Sequence, residues 1–148
     1  MRVTCLVLVC LVPLAATAKS TGEHWSALSA TANQITGSII VFPQRLVMAG
    51  GTGLSLRSVS RMAAFRTSQG DQVATVFRVK RPINPAPVSR LDKLCARGSL
   101  VRWVVIWKTA DEELGVDMFS SSKQPEHEAV PGLCGSFFYI RTGQELPS

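Results

Sequence analysis

His24 and His127 are the two imidazoles in this chain, and they stand at opposite ends of the sequence. A serine or cysteine hydrolase needs an ordered base beside its nucleophile and a third group to orient it. No Gly-x-Ser-x-Gly stretch supplies that context, so no catalytic residue is assigned, and a histidine-dependent hydrolase is only the third reading of function. Glu126-His127-Glu128 brings together carboxylate and imidazole, donor types that metals take. In an extended chain the two glutamates point away from the histidine, and the tripeptide reads as a solvated acidic loop tip with no metal assigned. Asp111, Glu112, Glu113 and Asp117 fall in and just after a turn, where acids are normally exposed, so a carboxylate pair set across a cleft for glycoside hydrolysis has no support. Gly50-Gly51-Thr52-Gly53 lacks the lysine and the following helix of a phosphate-cradling loop and reads as a turn. No cofactor is expected.

Charge and aromatic content raise two binding chemistries. From Arg45 to Lys108 there are twelve Lys or Arg against Asp71 and Asp92, whereas Asp111 to Glu128 holds six acids against Lys123. Arg78 and Lys80 share one strand face and make a basic ridge, which suits a polyanion contact with polysaccharide, lipid head groups or an acidic protein; nucleic acid is not expected. Trp103, Trp107, Phe137 and Tyr139 are large rings that serve either as core or as the wall of a small apolar cavity.

The elements that must position these residues are preceded by an address. Arg2, the apolar run Cys5 to Leu14, and the small-residue end Ala16-Thr17-Ala18 form the three-part pattern of a secretory signal peptide. Cleavage there leaves 19–148 as a single domain with one core, located in the periplasm or secreted. No later stretch reaches the roughly 18 apolar residues of a membrane span. The processed chain keeps two cysteines, Cys95 and Cys134, and an oxidising compartment joins them.

Between and just beyond those cysteines lie three expected strands: 100–107, 114–119 and 133–141. The first is apolar on both faces, with Leu100, Arg102, Val104 and Ile106 on one and Val101, Trp103, Val105 and Trp107 on the other. It is therefore either central or covered, and the proline-rich connection 83–87 is one candidate cover. Upstream, 35–42, 54–59 and 73–80 read as strands joined by short turns. The segment 24–32 is open between a helical turn and an edge strand; Met62-Ala63-Ala64-Phe65 and Ser89 to Leu94 are candidate helical turns. The expected fold is all-β, a small antiparallel barrel or sandwich of about eight strands with one disulfide, and the fallback is α+β with one short helix.

Ile35-Thr36-Gly37, Leu94-Cys95 and Leu133-Cys134-Gly135-Ser136-Phe137-Phe138-Tyr139 together resemble a pattern in small exported bacterial proteins with no assigned activity. The resemblance implies export and one domain, and it brings no catalytic residue with it. The function expected is that of a non-enzymatic exported binding module, an inhibitor of an envelope-acting enzyme such as a lysozyme or protease, with an envelope or secreted protein as partner. The alternative is a carrier of a small apolar ligand held in a β-barrel.

Overall fold

Period-two alternation of apolar side chains runs through nearly every segment of the computed structural model, which describes residues 21–85, 94–96, 98–109 and 111–143. The expected signal peptide and most of the turn expected at 89–94 fall outside the described residues. The elements in chain order are β1 (Glu23–Ala27), α1 (Ala30–Ile35), β2 (Ile39–Phe42), β3 (Arg45–Met48), β4 (Gly53–Thr67), β5 (Gly70–Ile83), β6 (Val101–Lys108), β7 (Leu114–Phe119) and β8 (Leu133–Arg141). All eight strands are antiparallel to their neighbours, and the sheet closes on itself where Trp25 of β1 lies opposite Arg141 of β8 and Ala27 opposite Tyr139. Closure gives the two end strands each other's hydrogen bonds and removes the exposed edges of an open sheet.

The wall is uneven in height. Strand β3 pairs with β4 only from Gly53 to Ser55, whereas β4 and β5 stay paired out to Thr67 and Gly70, past the last β6 partner at Ala74. The β4–β5 hairpin therefore stands beyond its neighbours at one end. Two register shifts bend β4, between Ser58 and Ser60 and between Met62 and Phe65; such bulges kink a strand and sharpen its twist. Met62-Ala63-Ala64-Phe65 is thus strand with an irregularity, because cross-strand pairing to β5 overrides the local helix preference of alanine and methionine.

Alternation on β6, β7 and β8 sends side chains to both sides of the wall. Val104 and Ile106, Leu114, Val116 and Met118, and Phe137 and Tyr139 join the barrel interior, while Trp103, Val105, Trp107, Phe119 and Phe138 pack in a second cluster outside it. The outer cluster is roofed by Met62 and Phe65 of the overshooting hairpin and by Val130 of the long β7–β8 loop. Among the described residues these form the cover of β6; of the described part of the proline-rich connection, 83–85, Ile83 packs on the interior cluster.

The other end of the barrel is plugged. Segment 24–32 resolves into strand β1, which carries Trp25, followed by the six-residue helix α1. Ser29 caps the helix by accepting from the Ala32 N–H at 3.1 Å, as a serine N-cap should. Gly37, at φ 62°, ends it by donating to Ala32 O at 2.8 Å, a left-handed closure that favours glycine. The buried Thr36 hydroxyl and the Tyr139 hydroxyl are hydrogen-bonded at 2.7 Å, tying α1 to the barrel floor. Burial pushes the Tyr139 hydroxyl above its ordinary range, and the bond to Thr36 opposes that shift.

The disulfide closes the same end. Cys95 and Cys134 are bonded with Cα atoms 4.6 Å apart, joining the β5–β6 connection to the start of β8. Asn84 fixes the approach, accepting from Cys95 N at 3.2 Å and donating to Cys95 O at 3.3 Å. A closed loop of this length, 39 residues of separation, stabilises the fold by about 4 kcal/mol in the chain-entropy model. The bond is compatible with an oxidising compartment, and among the described residues no helix is long and apolar enough to cross a membrane.

Candidate functional site

At the end opposite α1 the barrel has an open mouth of about 300 Å³. Its apolar lining comes from Val41 and Phe42 on β2, Phe77 on β5, Ile106 on β6 and Leu114 on β7. Val41, Phe77, Ile106 and Leu114 all belong to or pack against the interior cluster, so the mouth is the unfilled top of the barrel core and not a separate groove. Deeper layers are closed by Leu46, Leu56, Val116, Phe137 and Tyr139, each under 1 % exposed. A small eight-stranded barrel has room for a packed interior or one small ligand, and this one divides its length between the two.

Charged residues continue the inward-facing rows onto the rim. Lys108 follows Ile106 on β6, Arg141 follows Tyr139 on β8, and Glu23 precedes Trp25 on β1. Lys108 Nζ lies 3.8 Å from the Glu23 carboxylate, with both side chains about half exposed. Strands β1 and β6 are not neighbours in the barrel, so this ion pair spans the opening. Lys108 Nζ also sits 5.4 Å from the centre of the Trp25 ring, and the Arg141 guanidinium 5.9 Å from it, within reach of a cation–π attraction. The Trp25 indole N–H is buried and has no acceptor among the described residues.

A second polar constellation lies on the outer side of the wall. Asp117 is fully buried on β7, between Val105 of β6 and Ser136 of β8 in the strand register. Its Oδ2 accepts from the Trp107 indole N–H at 3.1 Å, while Oδ1 has no donor. The nearby Ser136 hydroxyl donates instead to Glu128 Oε1 at 2.9 Å, and Glu128 Oε2 accepts from the backbone N–H of Ser68 at the hairpin tip. Burial raises the Asp117 carboxyl to about 6; the Trp107 indole N–H acts to lower it and the Glu128 charge to raise it further. Unpaired buried oxygen and raised affinity for a proton share one cause, the loss of water around a carboxylate that has too few donors.

The β7–β8 loop is held over this face by further bonds. Trp103 Nε1 donates to Ser121 O at 3.1 Å, Gln124 Nε2 to Ser60 Oγ at 2.9 Å, and Glu128 N to Arg66 O at 2.9 Å. It runs beside the free half of β4, with a parallel bridge between Arg66 and His127.

The four rings chosen from the sequence do not share a cavity. Phe137 and Tyr139 are buried inside the barrel, and Trp103 and Trp107 are buried outside it. Arg78 and Lys80 project from the same face of β5, as their spacing requires, and each has a partner: the Arg78 guanidinium stacks 4.5 Å from the centre of the Trp103 ring, and Lys80 Nζ is 3.4 Å from Gln44 Oε1. His24 and His127 are both exposed, on β1 and on the β7–β8 loop. Two acids differ from expectation. Asp117 is not an exposed turn acid, since it falls in mid-strand facing the outer cluster, and Glu128 is turned inward by its two donors while Glu126 and His127 remain in solvent.

The mouth residues and the Asp117–Ser136–Glu128 group were not singled out by sequence. For Asp117 a signal existed, a lone charge in Leu114 to Phe119, where every other position is apolar or glycine. No family model matches the chain, and neither the curated proteins nor the solved structures contain a match.

Proposed function

We propose that this is an exported, non-enzymatic binding protein that carries a small apolar ligand in the mouth of its barrel. One observation supports the reading above all: Phe77, Ile106 and Leu114 of β5, β6 and β7 line about 300 Å³ of open space, to which Thr75 adds one hydroxyl on the β5 row. An apolar surface left concave and accessible is costly to maintain in water and gains from being filled. Fold alone does not fix function, so the proposal rests on this site.

The inhibitor of an envelope-acting enzyme is the second reading, and the hairpin is what favours it. Val59 and Val73, 45 % and 51 % exposed, lie on strands that continue past the mouth, where a partner protein could bury them while inserting one apolar side chain.

Native mass spectrometry of the protein recovered from its export compartment separates the two. A small-molecule adduct present in the wild type and lost in Ile106→Trp, which fills the mouth, is the expected result. A stoichiometric protein complex in place of the adduct would move the assignment to the inhibitor, and bare monomer in both samples would remove the carrier reading.

A further inference from the structure

We infer that the ligand of the mouth is a single apolar chain ending in a carboxylate, its head group held at the rim by Lys108 and Arg141. This assignment rests on the carrier reading above and adds the chemistry of the ligand.

The rim is not neutral. The rows that descend into the barrel from β1, β6 and β8 surface as Glu23, Lys108 and Arg141, two cations against one anion, and both cations are drawn to the same ring, Trp25. The anion already present is weakly held. Its 3.8 Å separation from Lys108 is at the outer limit of an ion pair, and both side chains are about half exposed, conditions in which such pairs contribute little. An entering carboxylate takes the place of Glu23 at Lys108 at small cost, and it does so next to an apolar wall, where a charge-assisted hydrogen bond gains strength from the lower local dielectric.

The rim therefore has cations in excess and asks for an acceptor. Below the rim, Val41, Phe77, Ile106 and Leu114 are apolar and Thr75 adds a single hydroxyl, so the part of the ligand that enters first is mainly hydrocarbon. No bond is made or broken; the carboxylate binds in its ionised form.

Isothermal titration of the mature protein at pH 7.5 with decanoate, decanol, decyltrimethylammonium and decyl phosphate tests this. Decanoate is expected to bind at least tenfold tighter than decanol, with the ammonium weakest. Lys108→Met brings the decanoate-to-decanol ratio toward one, and Glu23→Gln strengthens decanoate severalfold by removing the competing carboxylate. Circular dichroism of both variants should match the wild type, because the replaced side chains are solvent-exposed. Equal affinity for decanoate and decanol, or tighter binding of the ammonium, overturns the head-group assignment while leaving a carrier. Preference for decyl phosphate overturns the carboxylate. If none of the four binds, the carrier reading itself fails.

Discussion

Strands β6, β7 and β8 bury apolar side chains on both faces, but the two sides treat charge in opposite ways. On the inner side, Val104, Val116 and Phe137 lead up to a mouth whose charges, Glu23, Lys108 and Arg141, stay in water at the rim. On the outer side, Trp103, Trp107 and Phe119 are sealed under the hairpin and the β7–β8 loop, and a carboxylate, Asp117, is sealed in with them. The inner face is thus open and electrostatically relaxed; the outer face is closed and holds an acid with one oxygen unpaired. The contrast fits the proposal that the inner face takes a ligand and the outer face stays shut, since exposing the outer cluster would uncover its aromatic rings and the unpaired edge of β4.

The largest effect should come from the closed part of the interior. Phe137 is fully buried, and Phe137→Ala should lower unfolding free energy in urea by about 3–5 kcal/mol, the usual cost of an uncompensated aromatic cavity. A loss below about 1 kcal/mol would mean that the deep core, and not only the mouth, is loosely filled.

Next is the outer acid. Asp117 has a carboxyl near 6 in the folded protein against 3.8 ordinarily, so the folded state holds this proton more tightly than the unfolded chain does. Its stabilising effect is complete below about pH 4 and is lost as pH rises through about 6, a difference of about 3 kcal/mol for two pKa units. Asp117→Asn stays neutral, so relative to wild type its stability should climb between pH 4 and pH 7 and then level off. A variant-to-wild-type difference that is flat with pH would show that the outer face does not strain its carboxylate. His127 is exposed and adjacent to Glu128, so His127→Gln serves as the control and should leave that climb in place.

Much of the architecture was legible because strands announce themselves locally. Alternation in 73–80 and 100–107, the turn at Gly50 to Gly53 and the placement of Cys95 and Cys134 carry the all-β class, the barrel and the bridge. What was not legible depends on which strands meet. Nothing local says that Glu23 and Lys108 stand across one opening, since they come from strands separated by most of the chain. The same holds for Asp117: proximity to the acids at 111–113 suggested a turn, whereas its environment is set by Trp107 and Ser136 on flanking strands. Helix α1 was hidden for another reason. Ser29 signals a cap, but six residues rich in Thr, Asn and Gln have little propensity of their own, and the helix persists because Ala32 and Thr36 are buried against the barrel floor.

The smallest expected effect sharpens the open side. Lys108→Met removes one half of an exposed ion pair, so stability should change by no more than about 0.5 kcal/mol. A loss several times larger would mean that the rim pair is a structural latch holding the barrel together, and the view of the mouth as relaxed would have to be given up.

The most direct test of the central claim is to map where an apolar probe lands. Methyl and indole resonances of the protein, followed by nuclear magnetic resonance during titration with decanol or decanoate, report both faces at once. The account predicts shifts at Val41, Ile106 and Leu114, with the Trp103 and Trp107 indole signals unmoved. Shifts at the two indoles with a silent mouth would contradict it, because the face that takes up a ligand would then be the one described here as sealed.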